Sequence, residues 1–129
     1  MKINKYIDHT LLKATATKKQ IVKLCSEAKE HNFYAVCVNG SYVELAKQKL
    51  QGSDVKIAAV IGFPLGAMTT EAKVFEAKDC IEKGASEIDM VINIGKLLDG
   101  ENGYVENEIR LIKQAIGTSV LKVIFENCY

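Results

Sequence analysis

Glu87-Ile88-Asp89-Met90-Val91-Ile92-Asn93 is the stretch on which the reading of this chain turns. In an extended strand successive side chains alternate between faces, so Asp89, Val91 and Asn93 share one side and Ile88, Met90 and Ile92 the other. Apolar residues on both sides describe a strand covered above and below, the pattern of a parallel sheet flanked by helices. Similar short runs recur at Tyr6-Ile7, Ala35 to Val38, Ile57 to Ile61, Ile88 to Ile94 and Val120 to Phe125. Their spacing is roughly one strand–helix unit.

Helical periodicity fills the intervals. Ile21, Leu24, Cys25 and Ala28 form a stripe at i, i+3, i+4, i+7, preceded by Thr17-x-x-Gln20, a capping box. Ser41-x-x-Glu44 predicts the start of a second helix carrying Val43, Ala46 and Leu50. Val74, Ala77 and Ile81 predict a third, closed by Gly84, and Val105, Ile109, Ile112 and Ile116 a fourth, closed by Gly117. The expectation is one α/β domain over residues 1–129, β-α-β-α-β-α-β-α-β with parallel strands. Two architectures use that alternation. A doubly wound sheet is complete at this length, whereas a (β/α)8 barrel takes about 250 residues and would be cut after strand five. The alternation by itself does not choose between them.

Bulk composition excludes several classes of function. Lysine and arginine number 17 against 16 acidic residues, a formal charge of +1, and Arg110 is the sole arginine. Neither nucleic acid nor an anionic membrane finds an electrostatic footprint here. Cys25, Cys37, Cys80 and Cys128 form no Cys-x-x-Cys pair and each reads as a small hydrophobe within an apolar run, so no metal site is expected. No signal peptide and no apolar span near 18 residues is seen, which points to a reduced, cytoplasmic, soluble protein.

Polar residues in or just after the strands are the candidates for chemistry. Asp8-His9-Thr10 is expected to end the first strand, Cys37 and Asn39 the second, and Gly62-Phe63-Pro64-Leu65-Gly66 the third. Asp89 and Asn93 fall on the fourth, Lys122 and Glu126 on the fifth. If the polar faces turn inward, Asp89 and Lys122 share a dry interior, an arrangement suited to proton transfer or carbonyl chemistry. Plainer readings stand beside these. Asp89 could serve as a structural hydrogen-bonding group, Lys122 as a solvated strand start, and Asp8 as a turn residue. Cys37 reads as packing before nucleophile. His31 reads as an exposed helix end, and His9 is left open.

Five segments together resemble the deoxyribose-phosphate aldolase family: Ile7-Asp8-His9-Thr10-Leu11-Leu12-Lys13, Val36-Cys37-Val38-Asn39, Val60-Ile61-Gly62-Phe63-Pro64-Leu65-Gly66, Glu87 to Asn93, and Leu121-Lys122-Val123-Ile124. They occur in the family's order and spacing along essentially the whole chain. The resemblance implies a (β/α)8 TIM barrel and a class I aldolase that needs no metal or cofactor. Such an enzyme cleaves 2-deoxyribose 5-phosphate to acetaldehyde and glyceraldehyde 3-phosphate through a Schiff base on lysine. By the same resemblance Asp89 matches a catalytic aspartate of the proton relay. Asp8 matches a polar residue near the substrate, Cys37 a cysteine close to the site, and Lys122 an interior lysine supporting the network.

The family's Schiff-base lysine lies on strand six and its phosphate-binding loops follow strands seven and eight, none of which is among these residues. The expectation is therefore a partial barrel of strands one to five, its rearrangement to an open parallel α/β sheet covered on both faces, or a barrel completed by oligomerisation. By itself such a chain is expected to be inactive and to form homo-oligomers through exposed strand edges. Two alternatives remain at this point: an active small aldolase using Lys122 for the Schiff base, and a non-enzymatic flavodoxin-like binding or scaffold module.

Overall fold

The computed structural model describes residues 1–129 as a five-stranded parallel sheet with helices between the strands. β1 spans Asp8–Leu11, β2 Ala35–Asn39, β3 Lys56–Ile61, β4 Glu87–Val91 and β5 Val120–Ile124. α1 covers Lys18–Glu30, α2 Val43–Lys49, α3 Thr70–Lys83, α4 Ile94–Leu98 and α5 Asn102–Ile116. No helix is long and apolar enough to cross a membrane.

Strand order decides the architecture. The strands lie in the order β1-β2-β3-β4-β5, each parallel to its neighbours. A doubly wound sheet reverses its order at a switch point and carries helices on both faces; this one does neither. Ile21 and Leu24 of α1, Val43 and Ala46 of α2, Ala77 and Cys80 of α3 and Ile112 and Ile116 of α5 all join one core cluster. They pack there on Val36, Val38, Ile57, Ala59, Ile61, Ile88 and Met90, one face of the sheet. The opposite face holds only a small cluster, Cys37, Ala58 and Val60, with Leu12 and Phe63 against it. The rearranged sheet covered on both faces is thus not what forms, nor is the flavodoxin-like arrangement.

The sheet is also strongly curled. Lys122 Nζ on β5 lies 2.7 Å from Asp8 Oδ2 on β1, across the helix-free face. Flat, five strands would separate β1 from β5 by about 19 Å. An extended lysine, an aspartate and a hydrogen bond together span only about 12 Å. The five strands therefore form a concave arc of barrel wall, with the helices on its outside.

Local signals act mostly as the sequence suggests. Thr17 and Gln20 make a reciprocal capping box, Thr17 N donating to Gln20 Oε1 at 2.8 Å and Gln20 N to Thr17 Oγ1 at 3.4 Å. Gly84 ends α3 at φ 123°, a conformation favouring glycine. Gly66 is required for a different reason: a Cβ there would sit 2.2 Å from Ile92 O, so the β3–α3 loop closes directly on the strand β4 exit.

Several expectations need correction. Tyr6 belongs to a 3-10 turn, Ile3–Tyr6, so Asp8 begins β1 instead of ending it. Ser41 caps nothing. It lies in a 3-10 turn, Gly40–Tyr42, that carries the chain out of β2, and α2 starts only at Val43. β4 stops at Val91, and Asn93 instead caps α4, its Oδ1 accepting from Lys96 N at 3.1 Å. Glu126 lies past β5 at φ 54°. Cys128 is exposed, unlike the other three cysteines.

Candidate active site

The concave face gathers the predicted residues. Register places Asp89 opposite Lys122 on β4 and β5, and Thr10 opposite Cys37 on β1 and β2. Because side chains alternate, Glu87 and Asp89 point the same way, toward the inside of the arc. Lys122 crosses that interior and its Nζ lies 2.7 Å from Asp8 Oδ2, 3.2 Å from Asp89 Oδ1 and 3.5 Å from Glu87 Oε2. The two longer approaches are ion pairs without aligned hydrogen bonds, leaving Asp89 Oδ1 and Glu87 Oε2 buried with no donor. Cys37 Sγ donates to Asp89 Oδ2 at 3.7 Å. Glu87 Oε1 accepts from Tyr34 OH at 3.0 Å, which fixes the carboxylate from below.

The electrostatics of these groups differ. For Lys122, burial would lower the pKa, but the Asp8 hydrogen bond and the Asp89 and Asp8 charges outweigh it and hold the ammonium above the ordinary lysine range. Asp89, with its side chain only 13% exposed, is raised by burial against the opposing pull of Lys122. The Cys37 thiol is pushed up to about 12 by burial and by the neighbouring Asp89 charge. A raised pKa keeps the thiol protonated, able to donate to Asp89, and Cys37 packs in the small cluster with Ala58 and Val60. No cluster of His, Cys, Asp or Glu able to hold a metal is present.

A hollow of about 450 Å³ opens at the C-terminal ends of β1 to β3. It is lined by Leu12, Asn39, Phe63 and Pro64 among others, and Leu12 and Phe63 pack onto the Cys37 cluster. α/β folds bind small molecules at this end of the sheet. A larger groove lies between α3 and α5 on the outer surface, far from the charged network; chemistry, not size, locates the candidate site.

The model for DeoC/LacD family aldolases matches residues 2–129. The chain belongs to that family. A deoxyribose-phosphate aldolase of Mycoplasma mobile is 61% identical over 98% of this chain, and one of Treponema denticola is 57% identical over 100% of this chain. The chain spans 58% and 61% of those two relatives. Among solved structures, a deoxyribose-phosphate aldolase of Coccidioides immitis superposes with a TM-score of 0.96 at 45% identity. The match covers 98% of this chain and 50% of that one. One from Aeropyrum pernix, described as having a unique tetrameric structure, gives a TM-score of 0.79 at 32% identity, covering 96% of this chain and 52% of its own.

Of the predicted residues, Asp8, Cys37, Asp89 and Lys122 come together, while Asn93 and Glu126 serve backbone geometry elsewhere. His31 is the exposed C-cap of α1, in keeping with its helix-end position. His9 turns to the helix side, against Phe33 and 3.6 Å from Glu27. Sequence reasoning missed Glu87, although two residues before Asp89 on one strand is by itself a same-face signal. It also missed a second charged group. Lys73 of α3 and Glu108 of α5 are buried, with Nζ 2.5 Å from Oε1. Lys73 also donates to Val91 O at 2.9 Å, and Thr70 Oγ1 donates to Glu108 Oε2 at 2.8 Å. This brace ties both helices to the end of β4. The stripe read from the sequence, Val74, Ala77 and Ile81, lies to one side of the buried face that carries Lys73, so no sequence signal pointed to this pair.

Proposed function

We propose that residues 1–129 supply the first five strands of a class I aldolase of the deoxyribose-phosphate type, with Asp89 as the proton-relay carboxylate. The observation that supports this most is the ammonium of Lys122 clamped by Asp8 and Asp89 on the concave face. A carboxyl whose pKa is raised by burial, beside a fixed cation, is suited to give and take a proton at carbon. Lys122 serves as that fixed positive charge. An amine must be unprotonated to attack a carbonyl, and three carboxylates favour the opposite state. Its raised pKa argues against the reading in which Lys122 forms the Schiff base. That lysine is assigned to the part of the relatives' length which this chain does not span. Asp8 orients Lys122, and Cys37 donates to Asp89 while excluding water.

Borohydride trapping tests the assignment. The chain is incubated with 2-deoxyribose 5-phosphate and reduced, and its intact mass is read. The 129 residues alone should show no adduct. Fused to the remaining strands of the Mycoplasma mobile relative, they should give one adduct outside residues 1–129. In that fusion Asp89→Asn should lower turnover about a hundredfold or more. An adduct on Lys122 would overturn both its role as a fixed cation and the placing of the Schiff base elsewhere.

A further inference from the structure

Two Asn-Gly pairs occur in the chain, Asn39-Gly40 and Asn102-Gly103, and the fold treats them differently. In such a pair no Cβ shields the glycine nitrogen, which can turn onto the side-chain carbonyl of the asparagine before it. Whether it does so in a folded chain depends on what holds the two groups apart.

At Asn39-Gly40 they are held. Asn39 closes β2 in register with Val60 of β3, and its Nδ2 donates to Leu12 O at 3.4 Å. Both residues are half-buried, and a Cβ on Gly40 would lie 3.1 Å from Cys80 Sγ. Bringing the Gly40 nitrogen onto the Asn39 amide requires β2 to part from its neighbours.

At Asn102-Gly103 they are free. Both residues are exposed, at the first and second positions of α5, where backbone N–H groups lack an intrahelical acceptor. Gly103 N donates to no carbonyl, and the Asn102 amide makes no hydrogen bond within the chain. The space where a Gly103 Cβ would stand is open. The helix end is uncapped as well, because the Glu101 side chain leaves it to accept from Lys96 Nζ at 3.0 Å. Opening this first turn breaks the bonds that Tyr104 N and Val105 N donate to Glu101 O and leaves the sheet untouched.

We propose that Asn102 is a site of deamidation in the folded chain, with water as its only co-reactant, and that Asn39 is spared. The Gly103 nitrogen, its proton taken by base, attacks Asn102 Cγ. A C–N bond forms, the Cγ–Nδ2 bond breaks, and ammonia leaves with the proton. Water then opens the cyclic imide, at Cγ to give aspartate or at the backbone carbonyl to give isoaspartate. Nothing is oxidised or reduced. The two products act on α5 in opposite directions. Aspartate places a negative charge in a first turn that has none, where the helix dipole favours it. Isoaspartate runs the backbone through the side chain and lengthens it by one methylene. That insertion falls just ahead of Tyr104, whose hydroxyl accepts from Thr70 Oγ1 at 3.3 Å, and of the buried Val105.

Peptide mass mapping over a time course in mildly alkaline buffer provides the test, run on the folded chain and on the chain in urea. In the folded chain the Asn102 peptide should gain one mass unit and separate into two isomers. Asn39, which must wait for β2 to open, should convert about tenfold more slowly or less. In urea the two rates should converge to within about threefold. Gly103→Ala has room for its methyl, so circular dichroism should be unchanged while conversion of Asn102 slows about tenfold or more. Asn102 intact in the folded chain after the urea sample has largely converted would overturn the proposal. So would Asn39 keeping pace with Asn102 in the folded chain, or a rate difference that persists undiminished in urea. A Gly103→Ala rate within about threefold of the parent would rule out attack by the Gly103 nitrogen. Should Gly103→Ala fail to fold, the comparison of folded and urea samples decides by itself.

Discussion

Glu108→Ala should be among the most destabilising single substitutions in the chain, although Glu108 is far from the concave face. Its side chain is 1% exposed and that of Lys73 is 0% exposed. Removing the carboxylate strands the Lys73 ammonium in the interior with only Val91 O as a partner, and takes the acceptor from Thr70. Breaking a buried pair in this way costs about 3–5 kcal/mol, a large part of the about 5–15 kcal/mol that holds a domain folded. With a urea m-value of about 2 kcal/mol/M, the unfolding midpoint should fall by about 2 M. Lys73→Met combined with Glu108→Leu removes both charges, and hydrophobic replacement of a buried pair is often neutral or stabilising. The double variant should therefore lie within about 2 kcal/mol of the parent, its remaining cost being the donor lost to Val91 O. Equilibrium urea unfolding of the parent, Lys73→Met, Glu108→Leu and the double variant closes the cycle. Additive single effects, or a Glu108→Ala cost under about 1 kcal/mol, would refute the claim that the two charges depend on each other.

Two further outcomes follow from the concave face. Lys122→Met leaves Asp8, Glu87 and Asp89 facing one another without a cation, and should cost about 1–2 kcal/mol at pH 8, modest because Lys122 is 39% exposed. Asp89, already raised, binds its proton more tightly folded than unfolded, so its contribution is full below about pH 3.8 and is lost as pH climbs through its folded value. Without Lys122 the Asp89 carboxyl rises further, so the variant's deficit should shrink between pH 8 and pH 5 in urea unfolding; a pH-independent deficit would contradict the clamp. For Lys122 itself the raised pKa gives stability that is full below 10.5 and is lost only as pH rises through the higher folded value. Among the cysteines, iodoacetamide at pH 8 should label Cys128 alone in the folded chain and all four in urea, read by mass. Cys25, Cys37 and Cys80 are buried and their thiols raised, Cys37 to about 12 and Cys80 to about 11; rapid labelling of Cys37 would mean the interior is open.

What the sequence disclosed depended on how local the cause was. The Thr17–Gln20 box and the Gly84 stop are fixed by residues within one turn, and both form where the sequence places them. Asp89 and Lys122 were legible because the strand period places each on a face, and only the pairing of β4 with β5 remained to be supplied. Strand ends were less legible. The apolar run continues to Ile92 and Ile94, but Asn93 competes for the backbone and opens α4, so hydrophobicity overstates β4. Lys73 was hidden for another reason. Its position on the stripe with Ala77 and Cys80 is visible only once the inward face of α3 is known, and Val74 and Ile81 suggested a face rotated from the real one. Nothing local to Lys73 reveals that its counter-charge lies 35 residues away on α5.

The contact between Lys122 and Asp8 joins architecture to chemistry. In an eight-stranded ring the fifth strand stands opposite the first, so a side chain linking them must cross the interior. Lys122 does so, reaching residue 8 from the other end of the chain, 114 positions away. That reach requires the curl, and the curl in turn brings Asp8, Cys37, Asp89 and Lys122 within contact of one another. In a flat sheet of the same strands Lys122 would still meet Asp89 on the adjacent strand, but Asp8 would be out of range and its hydrogen bond lost. The Lys122 ammonium would lose the hydrogen bond and the charge that Asp8 supplies, and Asp89 would face a less firmly held cation. The protonation states proposed for the relay are therefore a consequence of strand order and curvature, more than of any one residue's surroundings in sequence.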